Sequence, residues 1–295
     1  MDVNLPSSGS YVVAVSGGLD SVVLLHLLTK QKNLRLTVAH FDHGIREDST
    51  DDRQFVEELA LSYGLPFMSQ EGKLGPKTSE ELARTARYDF LRDVQTKKGA
   101  DALITAHHQD DLIETAILNL LRGTNRKGLS ALQSRADLMR PLLKVSKNSL
   151  KEYALQQGLN WREDPSNQDT SYLRNYIRHK IVPRLSFSDR KKLLNILSDI
   201  EVTNNETDNL LEEILNKQVG EQIDRAWFNQ LPHAVAKEVM AAWLRRANIR
   251  SFDRKNLELL VTNAKTASAG RQFAITKGVS LRINKENLAL TGVER

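Results

Sequence analysis

Apolar runs and amphipathic segments alternate through the first half of the chain. YVVAV (11–15) is a solid apolar run of strand length, and DSVVLLHLLTKQ behind it has the length of a helix buried on most sides. LRLTVAHF (34–41), PFMS (66–69) and DALITAHH (101–108) read as three further strands. Between them, 50–64 and 78–99 carry helical periodicity; the first ends at Gly64, the second opens on Thr78 with Glu81 three residues later, a capping box, and closes at Gly99. QDDLIETAILNLLRG (109–123) is the next helix. Strand and helix in strict alternation, with β-rich strands lacking a polar face, predict a parallel sheet covered on both sides: a doubly wound α/β domain.

Beyond Gly123 the pattern loosens. TNRKGLSALQS is a long basic loop, KVSKNSLKEYALQQG a helix ending at Gly158, and WREDPSNQDTS irregular. SYLRNYIRHKIV (171–182) is helical up to Pro183. From about 188 to 218 leucines and isoleucines recur at helical spacing in a polar background, and the tail shows helices around PHAVAKEVMAAWLRRA and KNLELLVTNA and a hairpin from RQFAIT through VSLRIN to NLALTG. The expected organisation is an α/β domain over 1–185, a helical linker over 186–220, and a small, mainly helical C-terminal domain with a terminal hairpin over 221–295. Trp227 and Trp243 are assigned to its core.

Composition narrows the chemistry. Zero cysteines exclude disulfides, thiolate metal sites, iron–sulfur clusters and cysteine nucleophiles. No apolar run approaches the ~20 residues of a membrane span and the N-terminus lacks a secretory pattern, so a cytoplasmic protein without a membrane partner is expected. The net charge of +5 is unevenly spread. Residues 1–161 carry 20 basic and 20 acidic side chains, 162–192 carry 8 and 4, 199–224 carry 1 and 8, and 225–295 carry 13 and 5. Two basic regions flanking an acidic connector fit two surfaces that touch nucleic acid. Scattered solvated charges would give the same count.

The densest chemistry lies in SGGLDS (16–21), at a strand-to-helix junction of the kind where open parallel sheets bind ligands. Gly17 and Gly18 let the backbone approach a ligand, and Ser16 and Ser21 add hydroxyl donors, which together make an anion cradle. Asp20 against a bare phosphate is unfavourable unless a divalent cation bridges them, most simply Mg²⁺. An ordinary tight turn with an acidic first-turn residue is the bland alternative. Neither the GxxxxGK[ST] nor the GxGxxG phosphate loop is present.

HHQDDLIE sets His107, His108, Asp110, Asp111 and Glu114 together, all metal-ligand types, with Asp111 and Glu114 on one face of a helix's first turn. A helix N-terminus also favours carboxylates for its own sake. Arg84 and Arg87 share a helix face with Asp89 and Asp93 as surface ion-pair partners. Arg174 and Arg178, interleaved with Tyr172 and Tyr176, pair cations for phosphates with planes for bases, and RNA contact is the favoured reading. Arg245, Arg246, Arg250, Arg254 and Lys255 are expected to form a secondary backbone-binding surface. No role follows from sequence for His40, His107 or His108.

SGGLDS resembles the PP-loop of ATP pyrophosphatases. With HFDHGIRE (40–47), ARYDFL (86–91), TAHHQDDLIETAILNLLRG (105–123) and EDPSNQDTSYLRNYIR (163–178), in this order, the chain resembles the tRNA(Ile)-lysidine synthetases, closely over residues 10 to 185. The resemblance implies a PP-loop fold with ATP held by Ser16, Gly17, Gly18, Leu19, Asp20 and Ser21, and Mg²⁺ by Asp20. It implies L-lysine bound through Asp111 and Glu114, and Arg87 at the reaction centre, neutralising developing phosphate charge. The remaining partner is tRNA(Ile) with a CAU anticodon, touched by Arg122, Arg126 and Lys127 in and beside the TNRKG loop and by Arg174 and Arg178, which also come within reach of ATP phosphates.

The implied reaction adenylates C2 of the wobble cytidine, and lysine then displaces AMP to give lysidine, with Asp20, Arg87, Asp111 and Glu114 as the catalytic set. The chain resembles the shorter family form, ending near the hairpin; its oligomeric state stays open, a homodimer included. The alternatives are another PP-loop tRNA-modifying or amide-forming synthetase, or an inert tRNA-binding protein on this fold.

Overall fold

The structure, a computed structural model, describes residues 3–42, 44, 49–72, 75, 78–124, 126–163, 173–218, 222–249 and 252–292. Parts of HFDHGIRE, most of the EDPSNQDTSY segment with Tyr172, and Arg250 lie outside these residues. The elements of the first region are β1 (Gly9–Ala14), α1 (Leu19–Thr29), β2 (Leu34–Asp42), α2 (Ser49–Ser62), β3 (Phe67–Glu71), α3 (Glu80–Lys98), β4 (Ala102–Ile104), α4 (Gln109–Leu121), α5 (Arg126–Leu129), β5 (Leu138–Met139), α6 (Lys147–Gln156) and α7 (Leu173–Tyr176). A π-helical turn, Ile177–Ile181, and a 3-10 turn, Val182–Arg184, lead from α7 to the long helix α8 (Phe187–Gln218).

Five parallel strands order as β3-β2-β1-β4-β5, with Val13 of β1 in register with Val38 of β2 and Ile104 of β4. Residues alternate across the sheet. Val12, Ala39, Leu103 and Leu138 pack with Phe90, Leu91 and Val94 of α3 on one face, while Val13, Val38 and Ile104 pack with Val23, Leu24, Leu28, Val56, Leu150 and Ala154 on the other. The chain winds outward from β1 through β2 to β3, then crosses back under α3 to β4 on the far side of β1. This reversal is a topological switch point, and it opens a crevice at the carboxyl ends of β1 and β4.

Three local expectations are corrected. The cap of α3 is Ser79, whose Oγ accepts from the Leu82 N–H at 3.3 Å, and not Thr78. The fourth strand stops at Ile104, so that Thr105–His108 carry the chain into the crevice. The basic loop expected after Gly123 holds the short helix Arg126–Leu129, and a fifth strand, Leu138–Met139, follows it; two residues are too few to show periodicity, and pairing with β4 supplies the structure.

The fold divides into two units, residues 1–200 and 201–295, with residues of α8 in both. The second unit contains β6 (Gln222–Asp224), α9 (Arg225–Gln230), α10 (His233–Arg246), α11 (Arg254–Thr266), β7 (Gln272–Thr276), β8 (Val279–Ile283) and β9 (Asn287–Thr291). Its sheet is four-stranded and antiparallel, β6-β9-β8-β7, rather than a hairpin: β6 adds an outer strand whose three residues carry no readable alternation. Trp243 is buried and Trp227 packs at the edge of the same core. Among the described residues no helix is long and apolar enough to cross a membrane.

Candidate active site

The SGGLDS loop leaves β1 and is closed by its own hydroxyls. Ser21, buried at the base, donates from Oγ to the Gly18 carbonyl at 2.9 Å and accepts from the Ser16 N–H at 3.2 Å. Gly17 sits at φ +90°, a backbone setting that side chains oppose, and Gly18, whose N–H donates to Ser16 Oγ at 3.4 Å, caps α1 in extended conformation without a side-chain cap. The Ser21 and Val22 N–H groups both bond the Gly18 carbonyl at 3.1 Å, and the N–H groups that precede them at the start of α1 are the kind of donor an anion site uses. Arg162 seals the loop from behind: its N–H donates to the Gly17 carbonyl at 3.0 Å while its guanidinium pairs with Asp52 and, at 3.6 Å, Asp51 of α2.

Asp20, on the first turn of α1, leaves one oxygen, Oδ1, buried without a partner, and its Oδ2 lies 3.4 Å from His108 Nε2. His108 closes the second half of the crevice. It caps α4 by accepting from the Asp110 N–H through Nδ1 at 3.1 Å, while Asp111 Oδ2 accepts from the His108 N–H at 2.9 Å. With Nδ1 engaged as acceptor, the proton belongs on Nε2, facing Asp20 and, at 3.5 Å, Asp111. Burial disfavours a charged imidazole, but Asp20, Asp111 and Asp110 outweigh it and raise the His108 pKa. Burial likewise pushes the Asp111 carboxyl up, and His108, His107 and Arg178 overcome it and leave the carboxyl below its ordinary value.

Glu114, one turn on and 1% exposed, grips Arg178 in a fork: Nε to Oε1 and Nη2 to Oε2, both 2.8 Å. Arg178 Nη2 also reaches Asp111 Oδ1 at 3.1 Å, and Arg174 bonds Thr115 Oγ1 at 3.2 Å. Burial raises the Glu114 pKa even against Arg178. The two expected arginines thus face the carboxylates of α4 and form no open stripe, whereas Tyr176 is exposed. Arg190 holds Asp110 at 2.6 Å, which removes that carboxylate from the pocket.

Residues 3–185 match the PP-loop domain family. A tRNA(Ile)-lysidine synthase of Thermotoga sp. strain RQ2 is 37% identical over 77% of this chain and 56% of its own length. The tRNA(Ile)-lysidine synthase of Solibacter usitatus is 32% identical over 96% of this chain and 68% of its own. The chain belongs to the tRNA(Ile)-lysidine synthase family. It spans about half the length of the first of these relatives. Among solved structures, the U34-tRNA thiolase NcsA from Methanococcus maripaludis, with its [4Fe-4S] cluster, matches 68% of each chain at 20% identity and a TM-score of 0.47.

In this lysidine synthase family member the crevice gathers Ser16 to Ser21, Asp111, Glu114, Arg174 and Arg178. Arg87 lies on α3 with Tyr88, beside His107. Arg122 is exposed at the end of α4, and Arg126 and Lys127 are half-buried in α5. His40 donates from Nδ1 to the Val15 carbonyl, 2.9 Å away, next to the loop, and burial lowers its pKa. Sequence reasoning missed the linking role of His108 and the sealing role of Arg162. Neither had a sequence signal: histidine is not among the usual helix N-cap residues, and Arg162 lies 145 positions from Gly17.

Proposed function

We propose that the chain ligates L-lysine to C2 of the wobble cytidine of tRNA(Ile) bearing a CAU anticodon, through an adenylated cytidine, with release of pyrophosphate and AMP. The observation that carries this reading is the link Asp20–His108–Asp111, which joins the PP-loop to a carboxylate pair already holding a cation. The first N–H groups of α1 would hold the triphosphate, and Ser16 and Ser21 fix the loop that presents them. Asp20 Oδ1, buried and unpartnered, suits Mg²⁺ shared with phosphate oxygens, an ion that usually takes only one or two protein carboxylates. Among the described residues no cluster of three or more His, Asp or Glu is placed to hold a metal by itself. When bound, Mg²⁺ would neutralise phosphate charge and polarise the bond to be cleaved.

Asp111 and Glu114 bind the Arg178 guanidinium here, so the pocket accepts a cation of the same charge as a lysine ammonium. Lysine would exchange with Arg178, whose freed fork is then available to phosphate. The raised pKa of Glu114 equips it to take the proton the amine must lose before attack. Incubating the chain with ATP, lysine and unmodified tRNA, then digesting the tRNA to nucleosides, tests the proposal. Lysidine, with stoichiometric AMP and pyrophosphate, is expected; unmodified cytidine in every digest would refute it.

A further inference from the structure

A second concentration of charge lies off the PP-loop. Arg84 and Arg87, on the first turns of α3, flank Tyr88, their guanidinium carbons 4.9 and 5.4 Å from its ring centroid. Arg140, immediately beyond β5, is 6% exposed; its backbone N–H bonds Ser134 Oγ at 2.9 Å and one guanidinium nitrogen bonds the Gln133 carbonyl. Arg87 Nε and Arg140 Nε are buried without a hydrogen-bond partner, and the Tyr88 hydroxyl lies beside the Arg140 guanidinium. No carboxylate among the described residues pairs with any of the three arginines. Unmade buried bonds are costly, and crowding like charges adds to that cost, so the arrangement is one that a bound anion would complete.

The surroundings report the same field. Burial, with Arg140, Arg87 and Arg84, holds the pKa of neighbouring His107 down to about 3 despite Asp111. Burial would raise the Tyr88 pKa, yet the three arginines pull it below its ordinary value.

We propose that Arg84, Arg87, Tyr88 and Arg140 form a pocket for a backbone phosphate of the RNA substrate, separate from the PP-loop cradle. The pocket sits at the carboxyl ends of β4 and β5, one to two strand spacings from the end of β1, or roughly 5–10 Å. The N-terminus of α1 already supplies donors for one polyphosphate. Forked guanidiniums converging from a helix and a strand end suit a second, fixed phosphate that would set the target base beside Asp20. RNA as the source of the phosphate rests on the proposed reaction; the anion pocket does not.

Arg84→Gln and Arg140→Gln in the full chain, with melting curves to confirm folding, supply the test. Each is titrated with unmodified tRNA(Ile) transcript across a salt series and, separately, with ATP. Weakening of tRNA binding by about ten- to a hundredfold at low salt, a salt slope reduced by about one, and unchanged ATP affinity are expected. Loss of ATP affinity with tRNA binding intact would assign the pocket to the nucleotide and overturn the proposal, as would no change in either. Should Arg140→Gln fail to fold, half-buried Arg84 decides alone. A wild-type chain that binds the transcript but makes no lysidine would remove the proposed reaction and leave the pocket standing.

Discussion

The two units solve opposite problems. The first buries Asp111, Glu114, His108 and Arg140 at one edge of its sheet and leaves Asp20 Oδ1 and Arg87 Nε without partners. The second has a core of Leu215, Phe228, Val239, Met240, Trp243, Leu260 and Leu281, all apolar, keeps pairs such as Lys237–Glu258 outside it, and buries fewer polar groups, Asn204 and Arg225 Nε among them. Buried charge is expensive to hold and apolar packing is not, so the first unit spends stability on chemistry while the second is built for stability itself.

That contrast sets what each substitution should do. Asp20→Ala should cut AMP formation by at least about a hundredfold while leaving the melting temperature near wild type, because the side chain it removes has an unsatisfied oxygen; a large fall in melting temperature would make Asp20 structural. Trp243→Ala should cost ~3–5 kcal/mol in denaturant unfolding of the second unit, through loss of buried area and the cavity left behind. A cost under about 1 kcal/mol would mean that unit's core is not what holds it together.

Glu114→Gln keeps shape and removes charge. It should raise the lysine concentration needed for turnover by about ten- to a hundredfold, the worth of a charge-assisted bond, with adenylation of tRNA still detectable. An unchanged lysine requirement would take Glu114 out of the pocket. The smallest effect belongs to His108→Gln, which should cost about 1 kcal/mol as a lost helix cap and ion partner. The His108 pKa is raised in the folded chain above its ordinary 6.5, so its ion-pair contribution, unlike the cap that needs an unprotonated Nδ1, is complete below that value and disappears as pH rises through the folded value. Melting of wild type and variant should therefore differ more at about pH 6 than at about pH 8.5. A gap that widened with pH would reverse the sign assigned to the Asp20 and Asp111 contacts.

Local information made much of the first unit readable. Val12 and Val13, adjacent in sequence, point to opposite layers of the sheet, and an unbroken apolar strand announces burial on both faces before any contact is known. Ser16–Ser21 was legible for a similar reason, since glycines and hydroxyls at one strand-to-helix turn define the cradle within six residues. Leu138–Met139 and Gln222–Asp224 were not, because strands of two and three residues are created by their neighbours.

What the sequence alone determined is the alternating sheet, the loop at its first turn and the carboxylates on the first turn of α4, all properties of contiguous residues. Tertiary structure decided how they are wired. It set His108 between Asp20 and Asp111, turned Arg178 onto Glu114, and drew Arg140 up to Tyr88 and Arg84. Those contacts join residues 64 and 88 positions apart in two cases and arise where the winding of the sheet reverses. The reason is physical: periodicity and capping act within a few residues, whereas the pairing of buried charges is fixed only when strands from distant segments lie side by side.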